Sequence, residues 1–259
     1  MRLVVLGSGS GGNVLVLESG SRRLMVDAGF SCREIEKRLA NVGIGGEDFD
    51  GLILTHEHSD HTRGVKRFVK RHNVPVYATA GTLEGLGLGE NGAQIHVLNS
   101  GHTAEVGSFA VEPFAIPHDA REPIGMVIQD GVGRRVGMVA DLGTRSQSAW
   151  GRLTDLDALI LESNHDLDML RSGPYPWPLK QRVASRHGHL SNREAAEGIP
   201  ELDSSHLQWV VLYHLSRTNN LPELAVDSVG EALSREGSPA EICVAGQFEP
   251  TQWMEVNAR

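Results

Sequence analysis

The segment Thr55-His56-Glu57-His58-Ser59-Asp60-His61 places three imidazoles and the Asp60 carboxylate within six residues. Imidazole nitrogens and carboxylate oxygens suit zinc, manganese or iron. Side chains of an extended loop repeat every two residues, so His56 and His58 point the same way. Asp60 and His61 open a following helix and face a neighbouring point. One such segment can serve two ions ~3.5–4 Å apart if other parts of the chain complete the ligand sets. The alternative, a surface loop that happens to be rich in histidine, seldom concentrates ligand types so densely. Three residues offer completion. His118 follows the apolar run 109–116, Asp141 follows 135–140, and His214 follows Trp209–Tyr213. Each ends an apolar strand, which is where α/β sites gather.

The elements that must position these residues mix strands and helices. Residues 3–6, 14–18 and 23–26 read as short strands separated by Gly/Ser turns. Residues 31–42 carry Ile35, Leu39 and Val42 at helical spacing, with Ser31 and Glu34 forming a capping box. Residues 51–55 read as a buried strand. Residues 59–72 read as one helix with Val65, Phe68 and Val69 inward, and 75–78 as a strand. The Gly-rich stretch 82–92 reads as a loop or weak helix. Further strands fall at 109–116, 124–129, 135–140, 158–161, 209–213 and 242–245, with an amphipathic helix over 221–235. No repeat, low-complexity tract or long linker appears, so residues 1–259 read as a single α/β domain.

Composition narrows the function classes. The chain has 259 residues, 40% hydrophobic and 22% charged, so it should fold with a large core. A formal charge of −9 excludes a generic basic DNA-coating protein but not a local basic patch. No run of about 18 apolar residues is present, so no membrane span is expected. Cys32 and Cys243 are the only cysteines, which excludes a disulfide framework and makes the cytoplasm the expected compartment.

Taken in order, HEHSDH, PHD, ADLG and HLS resemble the metallo-β-lactamase superfamily. LGSGSGGN at 6–13, DAG at 27–29, THEHSDH at 55–61, PVYAT at 75–79, LESNHD at 161–166, GPYPWPLKQR at 173–182, GHLSN at 188–192 and HLSRTNN at 214–220 are similar to the YycJ/WalJ family of bacterial nuclease-like proteins. The resemblance runs over nearly the whole chain. It implies a metallo-β-lactamase αββα sandwich, two facing mixed β-sheets flanked by helices, with metals at one sheet edge. Gly11, Gly12, Ala140 and Tyr213 depart from the family pattern, and Tyr213 is expected to narrow the substrate mouth.

The resemblance also implies roles. His56, His58 and His118 resemble the ligands of a first ion, and Asp60, His61 and His214 those of a second. Asp141 resembles the carboxylate that bridges both. Asp27 resembles a residue that supports the His loop through hydrogen bonds; a plain turn residue is the alternative. His189 resembles the histidine of the corresponding loop in RNase Z-like phosphodiesterases, with Glu162 as its partner. Glu162 would keep His189 charged, and His189 would act as acid or phosphate clamp. Asn164, His165, Ser191 and Asn192 beside that pair, and the cations Lys180, Arg182 and Arg217, are expected to touch substrate.

The function so implied is a phosphodiesterase with two divalent ions, Zn²⁺ or Mn²⁺, that hydrolyses nucleic acid. The expected activity is a 5′-to-3′ DNA exonuclease, with DNA favoured over RNA, in which Asp60 orients the attacking hydroxide. The alternative is a small-molecule metallo-hydrolase of the same fold: a cyclic phosphodiesterase, thioesterase or lactonase. A remnant binding protein is a further alternative, disfavoured because every proposed ligand is present. The 72 residues between Asp141 and His214 leave no room for an inserted clamp domain of ordinary size. The basic run 63–71 reads as a solvated helix face. GSGSGGN precedes a strand, so it fails the dinucleotide-binding context and reads as a tight turn near the metals, with its amides free to face phosphate.

Overall fold

The computed structural model describes residues 1–88 and 94–259. The first sheet is built from β1 (Arg2–Gly7), β2 (Val14–Ser19), β3 (Arg22–Val26), β4 (Gly51–Ile53), β5 (Val76–Ala78) and β6 (Ile95–Val97). The second follows as β7 (Ala104–Val106), β8 (Phe109–Ala115), β9 (Ile124–Gln129), β10 (Arg135–Val139), β11 (Ala158–Glu162), β12 (Trp209–Tyr213) and β13 (Glu241–Val244). The chain then returns as β14 (Met254–Glu255) to pair with β1. Both sheets are mixed: β1 to β3 are antiparallel, β3 to β6 parallel, β7 to β10 antiparallel and β10 to β13 parallel.

The strand pattern creates three apolar layers. Leu3, Val5, Leu15 and Leu17 of the first sheet share a core with Phe109, Val111, Val136, Met138, Ile160 and Val211 of the second. The alternate residues Val4, Leu6, Val16 and Met25 pack outward on helices α1 (Cys32–Asn41) and α3 (Val65–His72), chiefly Ile35, Leu39, Val65 and Phe68, with the short α2 (Ser59–Thr62) between them in the chain. Helix α4 (Ala80–Leu86) follows on that side. On the other side, Val139, Leu159, Leu161, Val210 and Leu212 pack on α5 (Gln147–Trp150), α8 (Asn192–Gly198) and α9 (Pro222–Arg235). Helices α6 (Leu167–Ser172) and α7 (Trp177–Val183) lie between β11 and α8 in the chain. Strands buried on both faces need apolar residues in both registers, which is why the sequence shows runs instead of alternation. The result is helices outside two facing sheets, the αββα order.

Several local expectations are corrected. The single helix 59–72 is two, α2 and α3, because Gly64 N donates to the Ala28 carbonyl while the Asp60 carbonyl is taken by Asn13 N, and Gly64 lies so close to the Phe30 carbonyl that a Cβ would collide. The capping box at Ser31 is half made: Ser31 Oγ accepts from Glu34 N at 3.3 Å, but the Glu34 carboxylate accepts from Arg38 Nε at 2.8 Å. Part of the Gly-rich stretch is α4; its residues 89–92 lie outside the described residues. Strands β6, β7 and β14 are short and were not legible from periodicity. Tyr213 does not narrow a mouth. Its ring is fully buried in the core between the sheets. Among the described residues, no helix is long and apolar enough to cross a membrane.

Candidate metal centre

The edge of the first sheet holds a network that orients the His loop. Asp27, directly after β3, accepts from Thr55 N at 2.9 Å and from Thr55 Oγ1 at 2.8 Å. Its Oδ2 also lies 2.7 Å from His61 Nδ1. The Thr55 hydroxyl proton is committed to Asp27, so its oxygen accepts from His56 Nδ1 at 3.0 Å. Both rings therefore carry a proton on Nδ1 and present Nε2. Asp27 thus contacts His61 directly and reaches His56 through Thr55.

The second sheet supplies single residues. His118 Nδ1 lies 3.1 Å from the Gly188 carbonyl, which can only accept, so Nε2 is again the free nitrogen. That nitrogen is 3.3 Å from His58 Nδ1. The ligand atoms of His56, His58 and His118 lie within 4.8 Å of one another, as do those of Asp60, His61 and His214. Asp141 stands between the two groups. Its Oδ2 is 2.9 Å from His61 Nε2, its Oδ1 is 3.3 Å from His214 Nδ1, and it also clusters with His56. Glu162, fully buried at the end of β11, accepts from Leu142 N at 2.7 Å through Oε2 and lies 2.7 Å from His189 Nδ1 through Oε1. His189 Nδ1 is also 3.3 Å from Asp141 Oδ1.

Backbone strain accompanies this convergence. Asp27, Asp141 and His214 all adopt the left-handed region, with φ of 61°, 53° and 57°. A non-glycine residue there costs roughly 1–2 kcal/mol. In each case the turn comes at the end of a strand and carries the side chain into the site. Strain kept at such positions is characteristic of functional sites.

The donor set fits divalent metal ions. His56 Nε2 is buried without a hydrogen-bond partner, and Asp141 Oδ2 beside it meets His61 Nε2 at 2.9 Å. A buried acceptor left unpartnered next to a carboxylate is costly unless a cation joins them. The electrostatics agree. Burial works against charge on His61 and His214, yet Asp141 with Asp27 raises His61 well above the usual imidazole range. Asp141, Asp60 and Glu162 raise His214 to about 10. Burial would lift the Asp141 carboxyl, but His214 and His61 hold it well below the usual carboxylate range. Burial and the neighbouring His61 push His56 well down, leaving its ring neutral. The buried carboxylates demand positive charge, which protons on His61 and His214 satisfy and divalent ions can supply instead.

The expected substrate contacts divide into two groups. A cleft beside His189 is lined by Asn164, Tyr175, Leu179, Arg182, Ser216 and Asp119, among others. Arg182 there is exposed and paired with Asp119 at 2.7 Å. Arg217 is exposed in the adjoining groove, its guanidinium 4.7 Å over the Phe248 ring. Asn164 reaches the cleft but also donates to the His214 carbonyl at 2.8 Å. Lys180 turns its ammonium onto the Arg171 carbonyl at 2.6 Å. The remaining three are corrected. Ser191 is buried as the N-cap of α8, its hydroxyl 2.7 Å from Glu194 in a complete capping box. Asn192 is buried in a side-chain ladder with Ser163 and Asn220. His165 is 1% exposed, and its backbone bridges to Ser191. Their hydrogen bonds fasten the GHLSN loop, leaving His189 to face the cleft.

Sequence reasoning missed Ser8 and Asn13 as positioning residues. Ser8 Oγ accepts from His214 N at 2.7 Å, and Asn13 Nδ2 lies 3.1 Å from His61 Nε2. Asn13 N donates to the Asp60 carbonyl at 2.8 Å. The GSGSGGN turn is indeed beside the centre, but the Gly9, Gly11 and Gly12 amides are used internally, on Asn13, Gln247 and Gly9. A polar residue closing a Gly-rich turn next to the His loop was the available signal. Gly29 has a similar role: its Cα touches the Asp60 carbonyl so closely that a Cβ would collide.

A model of the beta-lactamase superfamily domain matches residues 22–215. The chain is 35% identical over 236 residues to exodeoxyribonuclease YycJ of Bacillus anthracis, covering 90% of this chain and 89% of that protein. It is 36% identical over 227 residues to exodeoxyribonuclease WalJ of Streptococcus pneumoniae, covering 85% and 84%. The crystal structure of the metallo-beta-lactamase fold protein YhfI from Bacillus subtilis superposes with a TM-score of 0.75 at 18% identity, over 97% of this chain and 99% of that one. The chain therefore belongs to the beta-lactamase superfamily and, within it, to the family of YycJ and WalJ.

Proposed function

We propose that this chain is a two-metal phosphodiesterase that degrades nucleic acid, acting in the cytoplasm as a 5′-to-3′ DNA exonuclease without a clamp domain. Its relatives at 35% and 36% identity carry the name exodeoxyribonuclease, which supports DNA over RNA. The observation that carries the reading is His189, held 2.7 Å from buried Glu162 and 3.3 Å from Asp141 at the wall of the open cleft. Burial disfavours a charged ring, but Glu162 and Asp141 outweigh it and raise His189 above the usual imidazole range. A cationic imidazole there can clamp a phosphate oxygen or give a proton to the departing alkoxide. An acyl substrate has no second anionic oxygen for such a group to hold.

His56, His58 and His118 would hold one ion, and Asp60, His61 and His214 the other, with Asp141 shared. The nitrogen and oxygen donors suit Zn²⁺ or Mn²⁺. When bound, such ions lower the pKa of water and offset the charge growing on phosphoryl oxygens. Asp60, with one-fifth of its side chain exposed, would orient the attacking water. Arg182 and Arg217 lie where a nucleic-acid backbone would enter, so a chain of net charge −9 still offers local cations.

The test is incubation of metal-loaded protein with end-labelled duplex DNA, single-stranded DNA and RNA of one sequence, in Mn²⁺ and in Zn²⁺, beside His58→Ala. The expected result is metal-dependent release of mononucleotides from the 5′ end of DNA that the variant lacks. Intact strands with hydrolysis of bis-p-nitrophenyl phosphate would transfer the assignment to a small phosphodiester. Cleavage of RNA alone would overturn the choice of DNA.

A further inference from the structure

A second constellation of metal-ligand types lies outside the centre, where α1 meets α3. Cys32 and Glu36 are four residues apart and share one face of α1. His72 is the last residue of α3. The ligand atoms of the three lie within 4.8 Å of one another. Glu36 Oε1 is the hub, 3.5 Å from Cys32 Sγ and 2.8 Å from His72 Nε2. In a tetrahedral zinc site, bonds of about 2.3 Å to sulfur and 2.0 Å to oxygen set those two atoms about 3.5 Å apart. The sulfur–oxygen pair already has that spacing, and His72 needs only a small retreat.

The surroundings hold the ligands in place. The His72 ring packs 4.6 Å from the Phe68 ring on one side. On another it meets Gly46 so closely that a Cβ there would collide. The outward nitrogen, Nδ1, faces Glu47 at 3.9 Å. Nε2 donates to Glu36, and on cation binding the ring would carry its proton on Nδ1 instead and present Nε2. Cys32 is 3% exposed, whereas the His72 and Glu36 side chains are partly open, leaving a solvent-facing fourth position. Arg71 Nε also touches Glu36 Oε1, at 3.0 Å, from a side chain that is 65% exposed. Its guanidinium supplies the positive charge that a divalent ion would replace, and it is free to swing away.

We propose that Cys32, Glu36 and His72 form a separate site for a thiophilic divalent cation of the zinc class, which clips α1 to α3. On binding, the Cys32 thiol gives its proton to solvent and the thiolate joins the ion. Helix α1 follows the Asp27 turn and α3 follows the Asp60–His61 turn, so the clip ties together the supports of the catalytic centre.

Cobalt(II) tests this without reference to catalysis. The seven ligands of the two-metal centre contain no sulfur, so a thiolate-to-cobalt charge-transfer band in the near-ultraviolet can come only from a cysteine. Titration of the metal-free full chain with Co²⁺ should develop this band to one equivalent per chain. The band should vanish in Cys32→Ser, persist in Cys243→Ser, and require about tenfold more cobalt in His72→Gln. Arg71→Ala should keep it and need less cobalt. Absence of the band at cobalt concentrations that fill the two-metal centre would overturn the site. So would a band lost in Cys243→Ser, or one seen only in Arg71→Ala.

Discussion

The two sheets furnish the metal centre in different ways. The first delivers Asp27 and then His56, His58, Asp60 and His61 from two adjacent turns after β3 and β4. The second delivers His118, Asp141, Glu162, His189 and His214 one at a time from across about a hundred residues. The first group is held by backbone hydrogen bonds between adjacent turns of its own sheet: Ala28 N donates to the His61 carbonyl at 2.7 Å, Gly64 N to Ala28 at 2.8 Å, and Asn13 N to Asp60 at 2.8 Å. The second group is held by register. Parallel β10, β11 and β12 pair Val139 with Leu161, Leu161 with Leu212, and Glu162 with Tyr213. Their carboxyl ends therefore align, and Asp141, Glu162 and His214 emerge side by side. A dense motif can be supported by its neighbours, whereas dispersed ligands need a sheet.

Asp141 joins the two halves, so its loss should break the comparison most completely. Asp141→Ala is expected to lower kcat/KM by roughly 10³-fold and to reduce bound metal measured by mass spectrometry. Retention of both ions and near-normal turnover would show that the shared carboxylate is dispensable. His189→Ala, confined to the second sheet, should cost about 10²-fold or more in kcat at unchanged metal content. Loss of metal in that variant would make His189 a ligand and not an acid or clamp.

Asp27→Asn tests the first sheet. It removes an acceptor that fixes His61 directly and His56 through Thr55. Metal affinity should fall about 10- to 100-fold by chelator competition, while the fold persists by circular dichroism. An unchanged affinity would reduce Asp27 to a turn residue. Protons sharpen the same point. The pKa values of His61 and His214 are raised while no ion is bound, so both rings retain protons at neutral pH and must release them to bind ions. Apparent metal affinity should therefore rise from mildly acid to mildly alkaline buffer, with proton release visible by calorimetry in buffers of different ionisation enthalpy. The smallest effect is expected at Arg182, already paired with Asp119. Arg182→Ala should raise KM with little change in kcat and lower the salt slope of DNA binding by about one.

Much of the centre was legible because ligand chemistry is local. HEHSDH states its own donors, and apolar runs ending in His or Asp marked three strand ends. The helix break at Gly64 was not legible, because it arises from the Ala28 and Phe30 carbonyls, distant in sequence. Ser191, Asn192 and His165 have the residue types of a substrate site, yet burial gives them cap and ladder bonds instead. Tyr213 neighbours His214 in sequence, but its ring ends β12 in the core between the sheets, whereas His214, past the strand end with φ of 57°, turns into the centre.

The sequence by itself determined which residues could bind metal, where strands would end beside them, and that His189 and Glu162 belonged together. These follow from residue type, short-range periodicity and family likeness. Tertiary structure alone decided which ring nitrogen each histidine presents, that Asp141 reaches both groups, and that Ser8 and Asn13 brace the loops. It also brought Cys32 to His72, forty residues away. Those outcomes depend on hydrogen bonds and strand register between segments far apart in the chain, and no local pattern encodes them.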